Sequence, residues 1–312
     1  MITLSQLEYI IAIDTYRNFG LAAEKSMVTQ PTLSMQVKKL EVELDIILFD
    51  RGKSPILPTA IGEQFIEQAR IILRESSKLN ELVKDYKQIL GGSIQIGIIP
   101  TIAPYLLPYF LGPFSKRFPE IKLNIQELKT SEIIDLLQRD LLDVGILATP
   151  LHEPRIIEEP LFYEEILLYI NPSHPLFKET LIKPNQLQEE DMWMLTRGNC
   201  FRDQVINLCA TTRAQPLKNL RYESGSLETL KKMVDVEGGY TLLPELAMLE
   251  LPLKEIKRIK SFVSPKPLRE VSLVYARKAA KKNLLNLLKQ LIIDQLPAEI
   301  LDKSRGHLVQ WK

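Results

Sequence analysis

At 312 residues, with 45% hydrophobic and 25% charged content, the chain has the composition of a soluble globular protein of two or three compact units. A formal net charge of +1 excludes a generally basic surface, so any nucleic-acid contact must come from local geometry. The first residues lack a basic stretch followed by an apolar core, and no apolar run approaches the ~20 residues of a membrane span; a cytoplasmic protein without membrane contact is expected. His152, His174, His307 and the two cysteines form no zinc-ligand cluster, so neither a metal nor a cofactor is expected.

Residues 4–16 carry the spacing of an amphipathic helix, with Leu7, Ile10 and Ile11 on its core face and Phe19 beyond it. A short second helix opens at Gly20. A third follows Val28: Thr29 can cap it, and Pro31 is tolerated in the first turn, where a missing N–H costs nothing. Leu33, Val37, Leu40 and Leu44 face inward, leaving Gln30, Thr32, Ser34, Gln36 and Lys38 outside. A short helix, a tight turn and a helix with small polar residues at its exposed start make a helix-turn-helix pattern. Hydroxyls and amides there can read base edges while backbone N–H groups meet phosphate. Residues 47–58 read as a turn-rich hairpin, a wing carrying Arg51 and Lys53. Gly52-Lys53-Ser54 is no phosphate loop, because Ile47 stands where that loop needs its first glycine.

Residues 59–90 form one long helical pattern. Phe65, Ile72, Leu79 and Tyr86 recur every seven residues, interleaved with Ala69, Ser76, Val83 and Leu90. This is a seam for a second copy of the helix, and paired DNA readers need such a spacer. Gly91-Gly92-Ser93 ends the helix and marks a hinge.

Beyond the hinge, strand and helix alternate, the mark of an α/β fold with a largely parallel sheet. Strands are expected at 94–99, 121–128 and 143–147 in a first lobe and at 166–170, 192–196, 220–223 and 240–243 in a second. A last strand at 271–275 returns to the first lobe. Two crossings between lobes give a hinged cleft. Ligands of such sheets bind where strands run out and helices begin. Thr101, Thr130 and Asn199-Cys200 occupy such junctions and offer helix N–H groups, to which each threonine adds a hydroxyl.

Cys200 and Cys209 are the two cysteines of the chain, nine positions apart. If the segment is helical, their Cα atoms lie ~13 Å apart, whereas a disulfide needs them within ~7 Å. The pair can bond only if the segment refolds; otherwise these are two buried thiols behaving as small hydrophobes. A helix N-terminus and Arg202 would favour thiolate at Cys200, the form that peroxide oxidises to sulfenic acid. The alternative for Arg202 is an ion pair with Asp203 or Glu228. Cys209 lies in an apolar stretch beside Leu208 and Ala210.

Residues Ala22-Ala23, Thr29-Gln30-Pro31-Thr32-Leu33-Ser34, Lys39-Leu40-Glu41, Leu48-Phe49-Asp50-Arg51 and Thr59-Ala60-Ile61-Gly62 resemble the winged helix-turn-helix of LysR-type transcriptional regulators. The resemblance implies that Gln30, Pro31, Thr32, Ser34 and Lys38 meet the major groove and that Arg51 meets the wing's phosphates or the minor groove. Ser54 stands where the family usually carries a second arginine, and Lys53 can supply the charge without arginine's planar fork. Residues 198–204 with Cys209, together with Ile99-Pro100-Thr101, 226–230, 239–244 and 265–269, resemble the hydrogen-peroxide-sensing members of that family. That resemblance implies that Cys200 is oxidised, that Cys209 resolves it as a disulfide, and that Thr101 and Thr130 help seat peroxide. Gly198 and Asn199 belong to the same pocket, and Arg269 supplies local charge. Those members usually carry histidine where this chain has Asn199, an amide that can hydrogen-bond but cannot take a proton.

The fold expected is therefore α/β. A winged helix-turn-helix (1–58) and a long linker helix with its hinge (59–92) precede a two-lobed, periplasmic-binding-protein-like regulatory domain (93–312). Lobe I takes 93–163 and 268–312, and lobe II takes 164–267. The function expected is a peroxide-sensing regulator rather than an enzyme. By resemblance it works as a homodimer or homotetramer on half-sites of double-stranded DNA and engages RNA polymerase. The competing expectations are a regulator that binds a small effector in the cleft with idle thiols, and a thiol peroxidase with an appended DNA-binding domain.

Overall fold

Thr3 opens the first helix by a reciprocal bond: its hydroxyl accepts from the Gln6 N–H, and the Gln6 side chain accepts from the Thr3 N–H at 3.0 Å. That helix is α1 (Leu4–Tyr16), and Arg17 in the left-handed conformation ends it. Asn18 caps α2 (Phe19–Lys25) through the Leu21 N–H at 2.9 Å, and Thr29 caps α3 (Gln30–Leu44) with Pro31 in its first turn. The computed structural model describes residues 1–52, 55–86, 92–209, 224–249, 251–277 and 281–309. The chain divides into two units, Met1–Leu90 and Gly91–Lys312.

In the first unit Ile10, Ile13, Ala22, Ala23, Leu33, Val37 and Leu40 pack with Leu48 and Phe49. Ile11, expected on the core face of α1, is only half-buried, because Ile13 continues the buried row from Ile10 at a spacing of three. β1 (Phe49–Asp50) pairs antiparallel with β2 (Leu57–Pro58) at the base of the wing. α4 (Ala60–Tyr86) sends Ile66 into this core and joins it to α1 by an ion pair, Arg70 to Asp14 at 2.8 Å. Farther along α4, Ile72 and Leu79 are 40% and 64% exposed among the described residues, so two positions of the expected seam reach the surface. The side chains of Val83 and Tyr86, and all of Leu90, lie outside the described residues.

The second unit begins with β3 (Gly92–Ile98), α5 (Ala103–Arg117), β4 (Ile121–Glu127), α6 (Thr130–Gln138) and β5 (Val144–Thr149). Their strands form a parallel array in the order β4-β3-β5. Gly145 lets α6 lie against it, since a Cβ there would come within 2.5 Å of Ile133. β6 (Ile156–Ile170) crosses into the second lobe, which adds β7 (Leu181–Ile182), α7 (Cys200–Cys209), α8 (Leu227–Glu237), β8 (Tyr240–Pro244), α9 (Leu253–Ile256) and β9 (Ile259–Phe262). β10 (Lys266–Ala276) returns, followed by α10 (Lys282–Asp294) and β11 (Gly306–Leu308).

Several strand expectations change. β10 lies between β5 and β6 and runs antiparallel to both, so the sheet is mixed rather than largely parallel. The two crossing strands run in opposite directions because one leaves the first lobe and the other re-enters it. The end of β6 is flanked antiparallel by β8 and β9, and β7 lies parallel to β9. The strand expected at 166–170 is only the end of β6; Glu158, Glu159, Pro160, Glu164 and Glu165 had masked its beginning. Residues 192–196 form two isolated bridges, Met192 to Tyr240 and Leu195 to Ser224, instead of a strand. The strand expected at 220–223 lies outside the described residues. The expected lobe boundaries fall inside β6 and β10, which run on through both lobes.

Candidate functional site

The exposed face of α3 carries Gln30, Pro31 and Lys38, with Thr32 and Ser34 half-buried beside them. The Thr29 and Thr32 hydroxyls meet at 2.8 Å, so the cap also orients Thr32, one of the expected base contacts. Arg51 is less free than its place in the wing suggested. It donates to Glu41 at 2.7 Å and its guanidinium lies 5.1 Å from the centre of the Phe19 ring, while Glu41 also accepts from the Leu48 N–H at 2.8 Å. Arg51 thus ties the wing to α2 and α3 and remains partly exposed. Lys53 lies outside the described residues.

The second constellation is built around Cys200, the first residue of α7, which is 5% exposed. Gly198 takes a positive φ of 80°, a conformation that glycine adopts without strain, and turns the chain into the helix. The Asn199 side-chain oxygen accepts from the Phe201 N–H at 3.1 Å, which orders the first turn and uses one of the oxygen's two lone pairs. Cys200, Asn199, Gly198, Thr130 and Pro100 line a pocket of about 70 Å³ between the start of α7 and the start of α6. That volume exceeds the 10–15 Å³ or so that one water needs, and suits a molecule of a few heavy atoms.

Thr101, expected in the pocket with Thr130, lies behind it. It is 1% exposed, and its hydroxyl and carbonyl accept from Arg269 at 3.1 and 3.0 Å. Arg269 is equally buried. It sits opposite Glu164 in the β10–β6 register and donates to that carboxylate at 2.6 Å, and its guanidinium stacks 4.8 Å from the centre of the Phe201 ring. Glu164 also accepts from the Leu246 N–H at 3.2 Å. Burial pushes the Glu164 carboxyl up, and the Arg269 charge works against that push.

These neighbours set the state of the thiol. Burial pushes Cys200 up, and the Arg269 charge, the Thr130 hydroxyl and the Phe201 N–H pull it back. The cation acting on the sulfur is therefore Arg269, not Arg202. Arg202 donates to the Leu195 carbonyl at 2.6 Å, because the turn before α7 leaves that oxygen within its reach. Glu228, the other partner expected for Arg202, instead accepts from the Tyr105 hydroxyl at 2.8 Å and so links α8 to α5 across the lobes. Burial, then Glu228, raises Tyr105 well above the ordinary tyrosine range. Sequence reasoning missed Glu164 and Tyr105, since their partners lie 105 and 123 residues away and no local pattern marks them.

α7 carries both cysteine positions on one helix, which separates their Cα atoms by ~13 Å. Cys200 is free, and the Cys209 side chain lies outside the described residues. Among the described residues no helix is long and apolar enough to cross a membrane, and no group of histidine, cysteine or carboxylate side chains could hold a metal ion.

Two family models match the chain. "Bacterial regulatory helix-turn-helix protein, lysR family" covers residues 4–63, and "LysR substrate binding domain" covers residues 87–297. The "Hydrogen peroxide-inducible genes activator" of Haemophilus influenzae is 37% identical over 96% of this chain and 98% of its own length. The "DNA-binding transcriptional dual regulator OxyR" of Escherichia coli is 35% identical over 87% of this chain and 88% of its own. A solved full-length OxyR variant from Pseudomonas aeruginosa superposes with a TM-score of 0.80 at 32% identity, covering 94% of this chain and 98% of that one.

Proposed function

From the premise that the chain belongs to the LysR family of bacterial helix-turn-helix regulators, we propose that it is a DNA-binding transcription regulator switched by hydrogen peroxide through a Cys200–Cys209 disulfide. The observation that carries this reading is a buried thiol lining a pocket of about 70 Å³, beside Thr130 and within the field of a buried arginine. Similarity to peroxide-inducible activators over nearly the whole chain supports it. We assign DNA reading to residues 1–58, dimerisation to the helix and hinge at 59–92, and sensing to 93–312. Ile72 and Leu79 fit a seam between two copies, and two readers on half-sites of duplex DNA fit a cytoplasmic regulator that engages RNA polymerase.

The chemistry proceeds in two displacements. The Cys200 thiolate attacks peroxide; an S–O bond forms, the O–O bond breaks, and hydroxide leaves and is protonated to water. The Cys209 thiolate then attacks the sulfenic sulfur, an S–S bond forms, and a second water departs. Two thiols supply the two electrons that peroxide takes. The second displacement cannot occur across ~13 Å of helix, so α7 must unwind. The oxidised state then favours another arrangement of the regulatory domain, and the population of DNA-bound forms shifts with it.

The test is a footprint on a duplex selected by the protein from random DNA, taken before and after peroxide. The protected pattern changes on oxidation and reverts with dithiothreitol. An unchanged pattern with both thiols oxidised contradicts the proposal. The depth of Cys200 favours a second reading, in which the pocket holds a small effector and both thiols are idle. Thiol titration after mild peroxide separates the two: paired loss of thiols belongs to the switch alone.

A further inference from the structure

Gln204 is a large polar side chain, 0% exposed, one turn beyond Cys200 on the same face of α7. Its amide donates to the Val309 carbonyl at 3.2 Å, while its own oxygen finds no partner among the described residues. Val309 follows β11, and its N–H donates to the Leu268 carbonyl at 2.8 Å, continuing the pairing of β11 with β10. Leu268 immediately precedes Arg269, whose guanidinium packs on Phe201 of α7. The C-terminal segment is fixed elsewhere by Arg305, which donates to Glu245 at 2.7 Å. α7 is therefore held against β10 and the C-terminal strand through residues 201 and 204 of one helical face.

We propose that Gln204 is a positioning residue that latches α7 to the C-terminal strand, so that unwinding of α7 loosens residues 306–309 and carries the change at Cys200 to the strand crossing. This rests on the disulfide reading above. The half-satisfied amide suits a reversible latch: leaving its seat costs one hydrogen bond, and water then satisfies both ends of the group. A fully bonded amide would hold the helix more firmly, and an apolar residue there would leave the Val309 carbonyl without this donor. The latch also reaches the segment of β10 that pairs with β6, where both lobes are joined. Oxidation at the thiol is thus read by a strand that has no part in the pocket.

Amide hydrogen exchange on the full-length chain, with mass analysis of peptides covering 303–309, tests this before and after peroxide. Alkylation of each sample reports whether the disulfide has formed. Where it has, exchange across 306–309 accelerates about tenfold and recovers on reduction, the fold-change expected for loss of roughly one hydrogen bond's worth of protection. Gln204→Met keeps the length of the side chain and removes the donor. It shows the faster exchange already in the reduced state, with no further change on oxidation. A disulfide that forms while 306–309 keeps its protection overturns the latch and leaves the switch standing. Absence of any disulfide overturns both. A Gln204→Met chain that exchanges faster everywhere, yet retains its response to oxidation at 306–309, shows a merely structural glutamine and also overturns the latch.

Discussion

The first turn of α3 and the first turn of α7 are each ordered by a polar side chain just outside the helix, Thr29 in one and Asn199 in the other. α3 leaves that turn in solvent, with Gln30 and Pro31 exposed, whereas α7 buries Cys200 and Phe201 against residues from two lobes. The exposed turn can meet phosphate and base edges without rearrangement. On the proposed reading the buried turn cannot form the disulfide and stay as it is, because the second cysteine position lies at the far end of the same helix. On that reading one site works by being presented, the other by being released. The difference predicts that α3 variants change affinity while α7 variants change switching.

The largest effect separates the two functions outright. Cys200→Ser abolishes the peroxide-dependent change in the DNA footprint and leaves binding of the reduced form intact; a variant that still responds removes Cys200 from the switch. Arg269→Met comes next. It strands the Glu164 carboxylate at 0% exposure and lowers stability by about 3–5 kcal/mol, read by urea denaturation of the reduced chain. The same stability as the parent would show that the pair contributes nothing to the resting state.

A smaller effect follows from the thiol itself. Burial raises its pKa, so below that value the reactive thiolate, and the rate of sulfenic acid formation, climb about tenfold per pH unit. Stopped-flow trapping of sulfenate from pH 6 upward reads this slope, and a flat profile contradicts a thiol pushed up by burial. The smallest change falls on α3. Thr29→Ala removes the cap and costs about 1 kcal/mol of unfolding free energy, with the peroxide response unchanged. A changed response would mean that the two regions are not functionally separate.

The two sites also differ in how far the sequence revealed them. The turn before α3 was readable because its causes are local: a threonine cap, a proline in the first turn and apolar residues at helical spacing. The helix at 200–209 was readable from its own pattern, which set Asn199 and Cys200 at its start. The charge on the sulfur was not. Arg202 was the nearest cation in sequence and turned to a carbonyl instead, while Arg269 reaches the site by lying opposite Glu164 on the returning strand. The mixed sheet was hidden likewise, because buried ion pairs break the apolar runs by which strands are recognised. Thr101 was placed after its strand from sequence, but the bond that its hydroxyl accepts from Arg269, 168 residues on, left no local signal.

A non-reducing peptide map of the full-length chain, before and after one equivalent of peroxide, tests the central claim most directly. The account predicts that the two cysteine-bearing peptides are separate at first and joined afterwards, with a loss of two hydrogens. Peptides already joined in the untreated protein, or still separate once peroxide has been consumed by Cys200, would contradict a switch that works by bringing distant sulfurs together.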